Sequence, residues 1–177
     1  MRKALLWIGG SLLGLAALVT VVGIFLPREH AATSAITLRQ PAESVWAVVR
    51  DLEGTPRWWA DATASTRVAA DTGREVWRQT VGGFDMDLVV VHATAPARMV
   101  TAIDAPPDAA FGGTWTYELT PADGGTRVAV TEAGWIANPV FRVFALAGGH
   151  HRTLDAYLSA LGRRFGEAVT PEHVAAR

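Results

Sequence analysis

The pattern of hydrophobic and polar positions separates a short N-terminal segment from the rest of the chain. Residues Ala4 to Leu26 form an uncharged, largely apolar run of 23 residues, preceded by Arg2 and Lys3. A helix needs about 20 apolar residues to cross a bilayer, and the Leu, Ile, Val and Phe side chains of this run favour insertion by about 6 kcal/mol. The pattern therefore predicts a transmembrane anchor at residues 1–27 and a separate domain at residues 28–177.

A cleaved signal peptide is the alternative interpretation of this run. The apolar core of a signal peptide is normally about 7–15 residues long, which is shorter, but the small residues at 31–35 leave cleavage open. The positive charges before the run place the N-terminus in the cytoplasm. We therefore expect a single-pass protein of a bacterial inner membrane, with its domain outside the cytoplasm. Gly10 and Gly14 have the G-x-x-x-G spacing that can support a weak dimer within the membrane.

Beyond residue 27 the apolar residues recur with helical or alternating spacing. A helix is expected from Pro41 to Leu52, and a very short second helix begins at Pro56. A long helix is expected from 139 to about 168, with Gly148 and Gly149 as the place of a kink. Alternating and β-branched stretches predict seven strands, at residues 35–38, 65–70, 75–81, 85–94, 98–104, 114–120 and 126–133.

The connections between the predicted strands are short and rich in turn residues. Asp123, Gly124 and Gly125 separate two alternating runs, which is a strong hairpin signal. Strands joined by short turns pair antiparallel, because a parallel pair needs a crossover of a dozen or more residues. We therefore predict an α+β domain with a seven-stranded antiparallel sheet and a long C-terminal helix.

Several short motifs follow one another in the order found in a known superfamily. They are PAESVW (41–46), PRWW (56–59), GGTRV (124–128), TEAGW (131–135), NP (138–139) and LSAL (158–161). Over residues 32–168 the chain thereby resembles the START-related SRPBCC superfamily, which includes polyketide cyclases, lipid-transfer domains and the birch-pollen allergen fold. The resemblance implies a helix-grip fold, in which a curved sheet wraps the long C-terminal helix around an apolar cavity. It also implies a hydrophobic ligand, such as a lipid, sterol or polyketide.

Composition and charge exclude several classes of function. The chain has no cysteine, which rules out disulfides and thiolate metal sites. No basic stripe is present and the net charge is slightly negative, so nucleic acid is not an expected partner. Motifs for a serine nucleophile, a phosphate-binding glycine loop or a metalloprotease are absent. We therefore expect no catalytic residue, no metal and no cofactor.

Aromatic residues supply most of the candidate ligand contacts. Trp115 and Tyr117 alternate with polar residues along one predicted strand, so both face the helix. Trp58 and Trp59 are adjacent on a short segment, so both cannot enter the same core. The complete set of candidate ligand-binding residues is Trp58, Trp59, Trp77, Trp115, Tyr117, Glu132, Phe141 and Phe144.

Glu132 is the most informative polar candidate. It follows Val128 and Val130 with a period of two, which places its side chain on the same face of the strand as the valines. Burial on that face would raise the pKa of the carboxyl group and suit it to proton transfer. The alternative, which is favoured, is a hydrated position at the rim, because Glu132 lies at the end of the predicted strand.

The remaining polar candidates carry weaker signals. His151 and Asp155 are four residues apart in the C-terminal helix, where they could hold a metal or form an oriented base. Without a third ligand, a solvated helix face is the favoured interpretation. Arg78 and Asp87 lie in strands whose two faces both carry apolar residues, so the pattern does not decide which face they occupy. His92 is expected in the core.

Three functional hypotheses follow. The leading one is a membrane-anchored binding domain for a hydrophobic small molecule or lipid. The second is a cyclase or aromatase acting on an apolar substrate, which requires Glu132, Arg78 or His150 to converge inside the cup. The third is a membrane-tethered protein-interaction module whose cavity is filled by aromatic side chains of its own.

Overall fold

The computed structural model describes residues 2–68 and 73–175, and within them all side chains except those of residues 2–6 and 8. The helices are α1 (Arg2–Phe25), α2 (Ala42–Arg50), α3 (Pro139–Gly148) and α4 (Arg152–Arg164), with a 3₁₀ turn at Thr55–Arg57. The strands are β1 (Glu29–Leu38), β2 (Ala62–Val68), β3 (Val76–Val81), β4 (Phe84–Thr94), β5 (Arg98–Ile103), β6 (Phe111–Ala122), β7 (Gly125–Ile136) and β8 (Glu172–Val174).

The strands form one antiparallel sheet in the order β2-β3-β4-β5-β6-β7-β1-β8. The predicted α+β class and antiparallel pairing are confirmed, and the seven predicted strands correspond to β1–β7. Residues 69 and 70 of the second predicted strand lie outside the described residues. The predicted number of strands is wrong, because β8 adds an eighth strand beside β1. Its three residues are all exposed, so no alternation of apolar and polar positions marks it in the sequence.

The C-terminal helical region consists of two helices, α3 and α4, where one long kinked helix was predicted. Gly149 has a φ of +76°, a left-handed conformation in which a glycine commonly ends a helix. The chain resumes a helical course at Arg152. Leu154, Leu158 and Leu161 of α4 are fully buried in the core that this helix shares with the sheet.

The main core lies between α4 and one face of the sheet, which we call the concave face. Ile36 of β1 and Val128 and Val130 of β7 alternate into it and are at most 2% exposed. Burying a side chain of this size contributes about 1.5–3 kcal/mol. α2 packs against β6 and β7 and adds Val45 and Val49 to the same core. These contacts hold the two helices at fixed positions over the sheet.

α1 leads into β1 and packs against α3. The backbones meet at Gly23 and Pro139, where a Cβ on the glycine would overlap the carbonyl group of the proline. The absence of a side chain at residue 23 therefore permits the close approach. No helix among the residues whose side chains are described is long and apolar enough to span a membrane.

Arg142 of α3 connects α1, β7 and α3 through four hydrogen bonds to backbone carbonyl groups. One terminal nitrogen donates to Gly23 and Leu26, at 3.3 Å each. Nε donates to Ile136 at 2.9 Å, and the other terminal nitrogen donates to Ala137 at 2.7 Å. The last carbonyl groups of a helix have no partner within it. Arg142 supplies such a partner at the end of α1 and so attaches α1 to the domain.

Candidate ligand-binding site

Direct cross-strand pairs arrange the concave face in rows of side chains. One row contains Thr101, Trp115, Glu132 and Ala32, in which each residue lies directly opposite the next on β5, β6, β7 and β1. Directly opposed residues of an antiparallel pair share one face of the sheet. Tyr117 and Val130 form part of the next row and are both buried. Glu132 therefore occupies the core face of β7, at the edge of an otherwise uncharged wall.

Tyr157 of α4 lies at the centre of an aromatic cluster above this wall. Its ring contacts Trp58, Trp59, Trp115 and Tyr117, at centroid distances of 5.1, 5.2, 5.6 and 5.8 Å. All four contacts are of the edge type that the charge distribution of aromatic rings favours. We call these five residues the aromatic cluster. It brings four of the candidate ligand-binding residues together. The expectation that Trp58 and Trp59 cannot enter the same core is wrong, because Trp59 is buried and the half-buried Trp58 packs against the same core through Tyr157.

The indole N–H of Trp59 has no hydrogen-bond partner among the described residues, although it is buried. The residue is only 5% exposed, and its ring lies 6.0 Å from that of Trp115. A buried donor that stays unpaired costs about 1–3 kcal/mol, and nearly all buried donors in proteins are paired. An acceptor atom within hydrogen-bond distance of this N–H would therefore remove an unfavourable contribution to the free energy of folding.

Glu132 is the polar centre at the end of the row. It accepts hydrogen bonds from Trp115 Nε1 at 3.1 Å and from His30 Nε2 at 2.9 Å. The His30 ring stacks on His150, with 4.5 Å between the ring centroids. Burial lowers the pKa of His150, and the neighbouring His30 lowers it further. One carboxylate and two imidazoles are thus in contact, and side chains of these types serve as general acids and bases in enzymes.

The deeper part of the site is uncharged. Burial raises the pKa of Tyr117 and of Tyr157 well above the usual range for a phenol. Both hydroxyl groups therefore stay neutral at physiological pH. Walls of this kind, mostly apolar with a few placed polar groups, are typical of sites for small hydrophobic molecules.

Trp77 is buried on β3, where it has a structural contact of its own. Its indole N–H donates to Glu75 Oε1 at 2.8 Å. Glu75 also accepts two hydrogen bonds from Arg50 of α2, at 2.9 and 2.5 Å. Burial alone would raise the pKa of Glu75, but the bonds from Arg50 and Trp77 outweigh it and the pKa is lowered. Trp77 thus helps to fasten α2 to the sheet and is not a member of the aromatic cluster.

Several other candidates lie on the outside of the domain. Phe141 and Phe144 of α3 are 47% and 65% exposed. Arg78 and Asp87 form a bidentate ion pair at 2.8 Å on the face opposite to Trp77, so Arg78 does not converge on Glu132. The prediction that His92 is a core residue is wrong, because its side chain is exposed and contacts the Thr94 hydroxyl.

A cleft of about 490 Å³ opens beside the His30–Glu132 pair. It is lined by Glu29, His30, Ala31, Ala133, Gly134 and Trp135. Gly134 lies directly opposite both Gly113 and His30, so the row beyond Glu132 carries no side chain on β6 or β7. A Cβ on Gly134 would come within 3.1 Å of the His30 ring. Glu29, Ala31, Ala133 and Trp135 alternate with the residues of the concave face, so the cleft lies mainly on the opposite face of the sheet and Glu132 does not line it.

Two features of this arrangement were not predicted from the sequence. His30 lies in β1, which begins at Glu29, six residues before the predicted strand at 35–38. The sequence pattern therefore did not place His30 in a strand. No alternation of apolar and polar residues marks this part of β1, in which Ala32 to Ile36 are all buried. The three residues that could hold a metal ion, His151, Asp155 and His173, lie together where α4 meets β8. The sequence pattern did not indicate His173 as a metal ligand, because β8 was not predicted.

Solved structures share this architecture at low sequence identity. A START superfamily protein from Mycobacterium smegmatis has a TM-score of 0.61 and 19% identity, over 76% of this chain and 96% of its own. A protein from Thermus thermophilus has a TM-score of 0.62 and 19% identity, over the same fractions of the two chains. The di-domain ARO/CYC protein BexL from the BE-7585A biosynthetic pathway has a TM-score of 0.60 and 13% identity, over 92% of this chain and 61% of its own. These similarities confirm the helix-grip type of fold.

The family assignment comes from the sequence over almost the whole domain. No curated protein sequence matches the chain significantly. The model of the family described as polyketide cyclase / dehydrase and lipid transport matches residues 29–166, from the first residue of β1 to just beyond α4. The chain therefore belongs to the polyketide cyclase/dehydrase and lipid transport family.

Proposed function

We propose that this protein is a membrane-anchored domain that binds a hydrophobic small molecule or lipid on the concave face of its sheet. The observation that carries the proposal is the unpaired indole N–H of Trp59 within the aromatic cluster. A cluster that served packing alone would gain from an apolar side chain at this position, because a buried unpaired donor is unfavourable. A ligand with a carbonyl, ether or hydroxyl oxygen would satisfy the donor.

The shape and chemistry of the concave face and of the aromatic cluster indicate the class of ligand. The faces and edges of five aromatic rings favour a flat or chain-like apolar body. Glu132 and His30 can bind a hydroxyl group or another polar end of the same molecule. The ligand would thus have a polar end near Glu132 and an acceptor oxygen near Trp59, with an apolar body between them.

The membrane anchor of the proposal rests on the 23-residue uncharged run from Ala4 to Leu26, of which all but Leu26 lies in α1. Apart from Val19, the large side chains of α1 from Leu12 to Phe25 are between 45% and 84% exposed. On α3, which packs against α1, Phe141, Phe144 and Leu146 are also exposed. Apolar surface of this extent on two adjacent helices is unfavourable in water and would be covered by lipid. The positive charges of Arg2 and Lys3 favour a domain outside the cytoplasm.

The second candidate function is catalysis of cyclisation or dehydration on an apolar substrate. The contact of Glu132, His30 and His150 favours it, because the second hypothesis required such groups to converge. Among solved structures of the same fold, BexL is named as an ARO/CYC protein. Incubation with a linear poly-β-ketone tests the candidate. Loss of water, detected by mass spectrometry and abolished in Glu132→Gln, would support it, and an unchanged substrate would contradict it.

Photolabelling of the full chain in nanodiscs tests ligand binding. The nanodiscs contain a diazirine-bearing fatty acid or a diazirine-bearing sterol, and mass spectrometry maps the labelled peptides. We expect label on the peptides that carry Trp59 and Trp115, in addition to any label on α1. Trp59→Phe should reduce the label on the concave face. Trp46→Phe, the same change in a partly buried tryptophan of α2, should leave it unchanged. Label confined to α1 and α3 with both probes would contradict the proposal.

A C-terminal reporter tests the membrane topology separately. An enzyme that is active only in the cytoplasm is fused after residue 177 and expressed with the full chain. We expect little activity, because the domain lies on the other side of the membrane. Strong reporter activity would overturn the assigned topology without affecting the ligand-binding part of the proposal.

A further inference from the structure

A cluster of nitrogen and oxygen ligands lies outside the ligand-binding site, where α4 meets β8. It consists of His151, Asp155 and His173, and we call it the α4–β8 cluster. Each residue offers one ligand atom, and these atoms all lie within 4.8 Å of one another. His151 and Asp155 are one helical turn apart, and His173 comes from a strand 18 residues after Asp155. The tertiary structure thus supplies the third ligand that the helix alone lacks.

Backbone geometry fixes each member of the cluster. His151 precedes the first residue of α4, and its carbonyl oxygen accepts from the N–H of Asp155 at 2.8 Å. His173 lies directly opposite Ser34 in the antiparallel pair of β1 and β8. The neighbouring Glu172 forms an ion pair with Arg127 of β7, which holds the short strand in register. The position of His173 therefore depends on the sheet and not on a free tail.

Ser34 of β1 forms side-chain hydrogen bonds with two members of the cluster, His151 and Asp155. Its side chain is completely buried, and its hydroxyl group donates to Asp155 Oδ1 at 2.6 Å. The same oxygen lies 3.1 Å from His151 Nδ1. Since the hydroxyl proton is directed at the carboxylate, the oxygen accepts from the imidazole. This is the opposite of the arrangement that activates a serine nucleophile, in which the imidazole removes the hydroxyl proton. Ser34 is therefore a positioning residue.

The three side chains of the cluster are of the types that bind transition-metal ions. Two imidazoles and one carboxylate are common ligands of Zn²⁺ in sites that leave a fourth position to solvent. His173 Nε2 and Asp155 Oδ2 are 2.9 Å apart, and the His151 and His173 rings stack with 3.8 Å between centroids. Asp155 is about one-third exposed and His173 about one-half exposed, so an ion can reach the cluster from water. Hydrogen bonds of the ligands to a neighbouring side chain, such as those with Ser34, are typical of metal sites.

We propose that His151, Asp155 and His173 bind one divalent transition-metal ion of the zinc type, with Ser34 positioning the ligands. The ion would join β8 to the first turn of α4. His150, adjacent to His151, stacks on His30 at the ligand-binding site. Metal binding would therefore also fix the segment between α3 and α4. The proposal is independent of what the concave face binds.

Metal titration of the full chain tests this proposal. The protein carries an affinity tag without histidines, is purified in detergent micelles, and is treated with a chelator and dialysed. Isothermal titration with Zn²⁺ gives the stoichiometry, and the visible absorption of bound Co²⁺ reports nitrogen and oxygen coordination. We expect one ion per chain. His151→Ala and His173→Ala should abolish saturable binding, and Ser34→Ala should weaken it by about 10–100-fold.

His92→Ala is the matched control, because His92 is exposed on β4 and outside the cluster. Binding in this variant should equal that of the unmodified chain. Hydrogen exchange gives a second readout, in which Zn²⁺ should slow exchange of β8 in the unmodified chain but not in His173→Ala. The proposal is overturned if the unmodified chain binds no Zn²⁺ saturably, or if His173→Ala binds it equally well. Loss of binding in His30→Ala but not in His173→Ala would also overturn it.

Discussion

Trp115 and Glu132 lie directly opposite each other on β6 and β7, and the indole N–H of Trp115 donates to Glu132 Oε2 at 3.1 Å. His30 of β1 donates to the other carboxylate oxygen at 2.9 Å. Glu132 therefore links three adjacent strands. Its side chain is 24% exposed, so it is neither fully buried nor freely hydrated. This intermediate position allows one carboxylate to bind two donors of the protein while part of it stays accessible to solvent.

Glu132→Ala should destabilise the domain, because it leaves the N–H groups of Trp115 and His30 without their acceptor. We expect a loss of about 1–3 kcal/mol in the free energy of unfolding. Urea denaturation of the full chain in detergent, followed by tryptophan fluorescence, measures it. Glu118→Ala on β6 is the control, because Glu118 and Arg98 form an exposed pair at 3.9 Å. Exposed pairs contribute about 0–1 kcal/mol. Equal losses in the two variants would contradict this role of Glu132.

The same tryptophan-to-phenylalanine change should have different effects at two positions of the aromatic cluster. Trp115→Phe removes a donor that Glu132 accepts, whereas Trp59→Phe removes a donor that is unpaired. Without ligand, we expect Trp115→Phe to be the more destabilising change, by about 1 kcal/mol or more. Thermal unfolding of the two variants at equal detergent concentration measures the difference. The reverse order would indicate that the Trp59 N–H is paired in solution.

The stability of the domain should fall as the pH is lowered towards and below the usual pKa of histidine. Burial and the adjacent His30 hold the pKa of His150 below its usual value, and Glu132 and His151 are the other charged groups facing it. The unfolded chain, in which the pKa is about 6.5, therefore binds more protons than the folded one, and stability decreases on acidification.

His150→Gln isolates this contribution. Between about pH 7.5 and 5.5, the free energy of unfolding should decrease less in His150→Gln than in the unmodified chain. His92→Gln, at an exposed position, should follow the unmodified chain. Chemical denaturation at a series of pH values measures the three curves. If the free energy of unfolding fell as steeply with decreasing pH in His150→Gln as in the unmodified chain, groups other than His150 would cause the pH dependence.

Gly23→Ala should separate α1 from α3. A Cβ at residue 23 would overlap the carbonyl group of Pro139, so one of the two helices must move. The carbonyl groups of Gly23 and Leu26 would then lie farther from Arg142, and we expect faster hydrogen exchange in the first turns of α3. Gly9→Ala is the matched control, because no described atom lies within 4 Å of a Cβ placed there. Unchanged exchange in Gly23→Ala would show that the helices do not pack closely in solution.

Local chemistry explains the parts of the fold that could be predicted from the sequence. The hairpin between β6 and β7 follows from Asp123, Gly124 and Gly125, and Gly124 adopts the positive φ of 76° that its position in the turn requires. The alternation of Val128, Val130 and Glu132 determines which face of β7 is buried. In both cases the information lies within a few consecutive residues, so the pattern was sufficient.

The features that could not be predicted depend on residues far apart in the sequence. Ser34 and His151 are separated by 117 positions, and His30 and Glu132 by 102. No periodicity along one segment indicates such contacts. The three-residue β8 lacks an apolar stripe, and the central position of Tyr157 results from packing between α4 and the sheet. Phe141 and Phe144 belong to the apolar helix predicted at 139–168, but the break at Gly149 separates α3 from the buried α4, and both phenylalanines are exposed.

The position of β1 between β7 and β8 also determines when the sheet can be completed during synthesis. Leu38 ends β1, and 86 residues follow before Gly125 starts its first partner. At a translation rate of about 5–20 residues per second, β1 remains unpaired for on the order of ten seconds after it emerges. A strand with unsatisfied edges is prone to join the wrong neighbour during such an interval. The edge of β1 that faces β7 is therefore covered only after nearly the whole sheet has been synthesised.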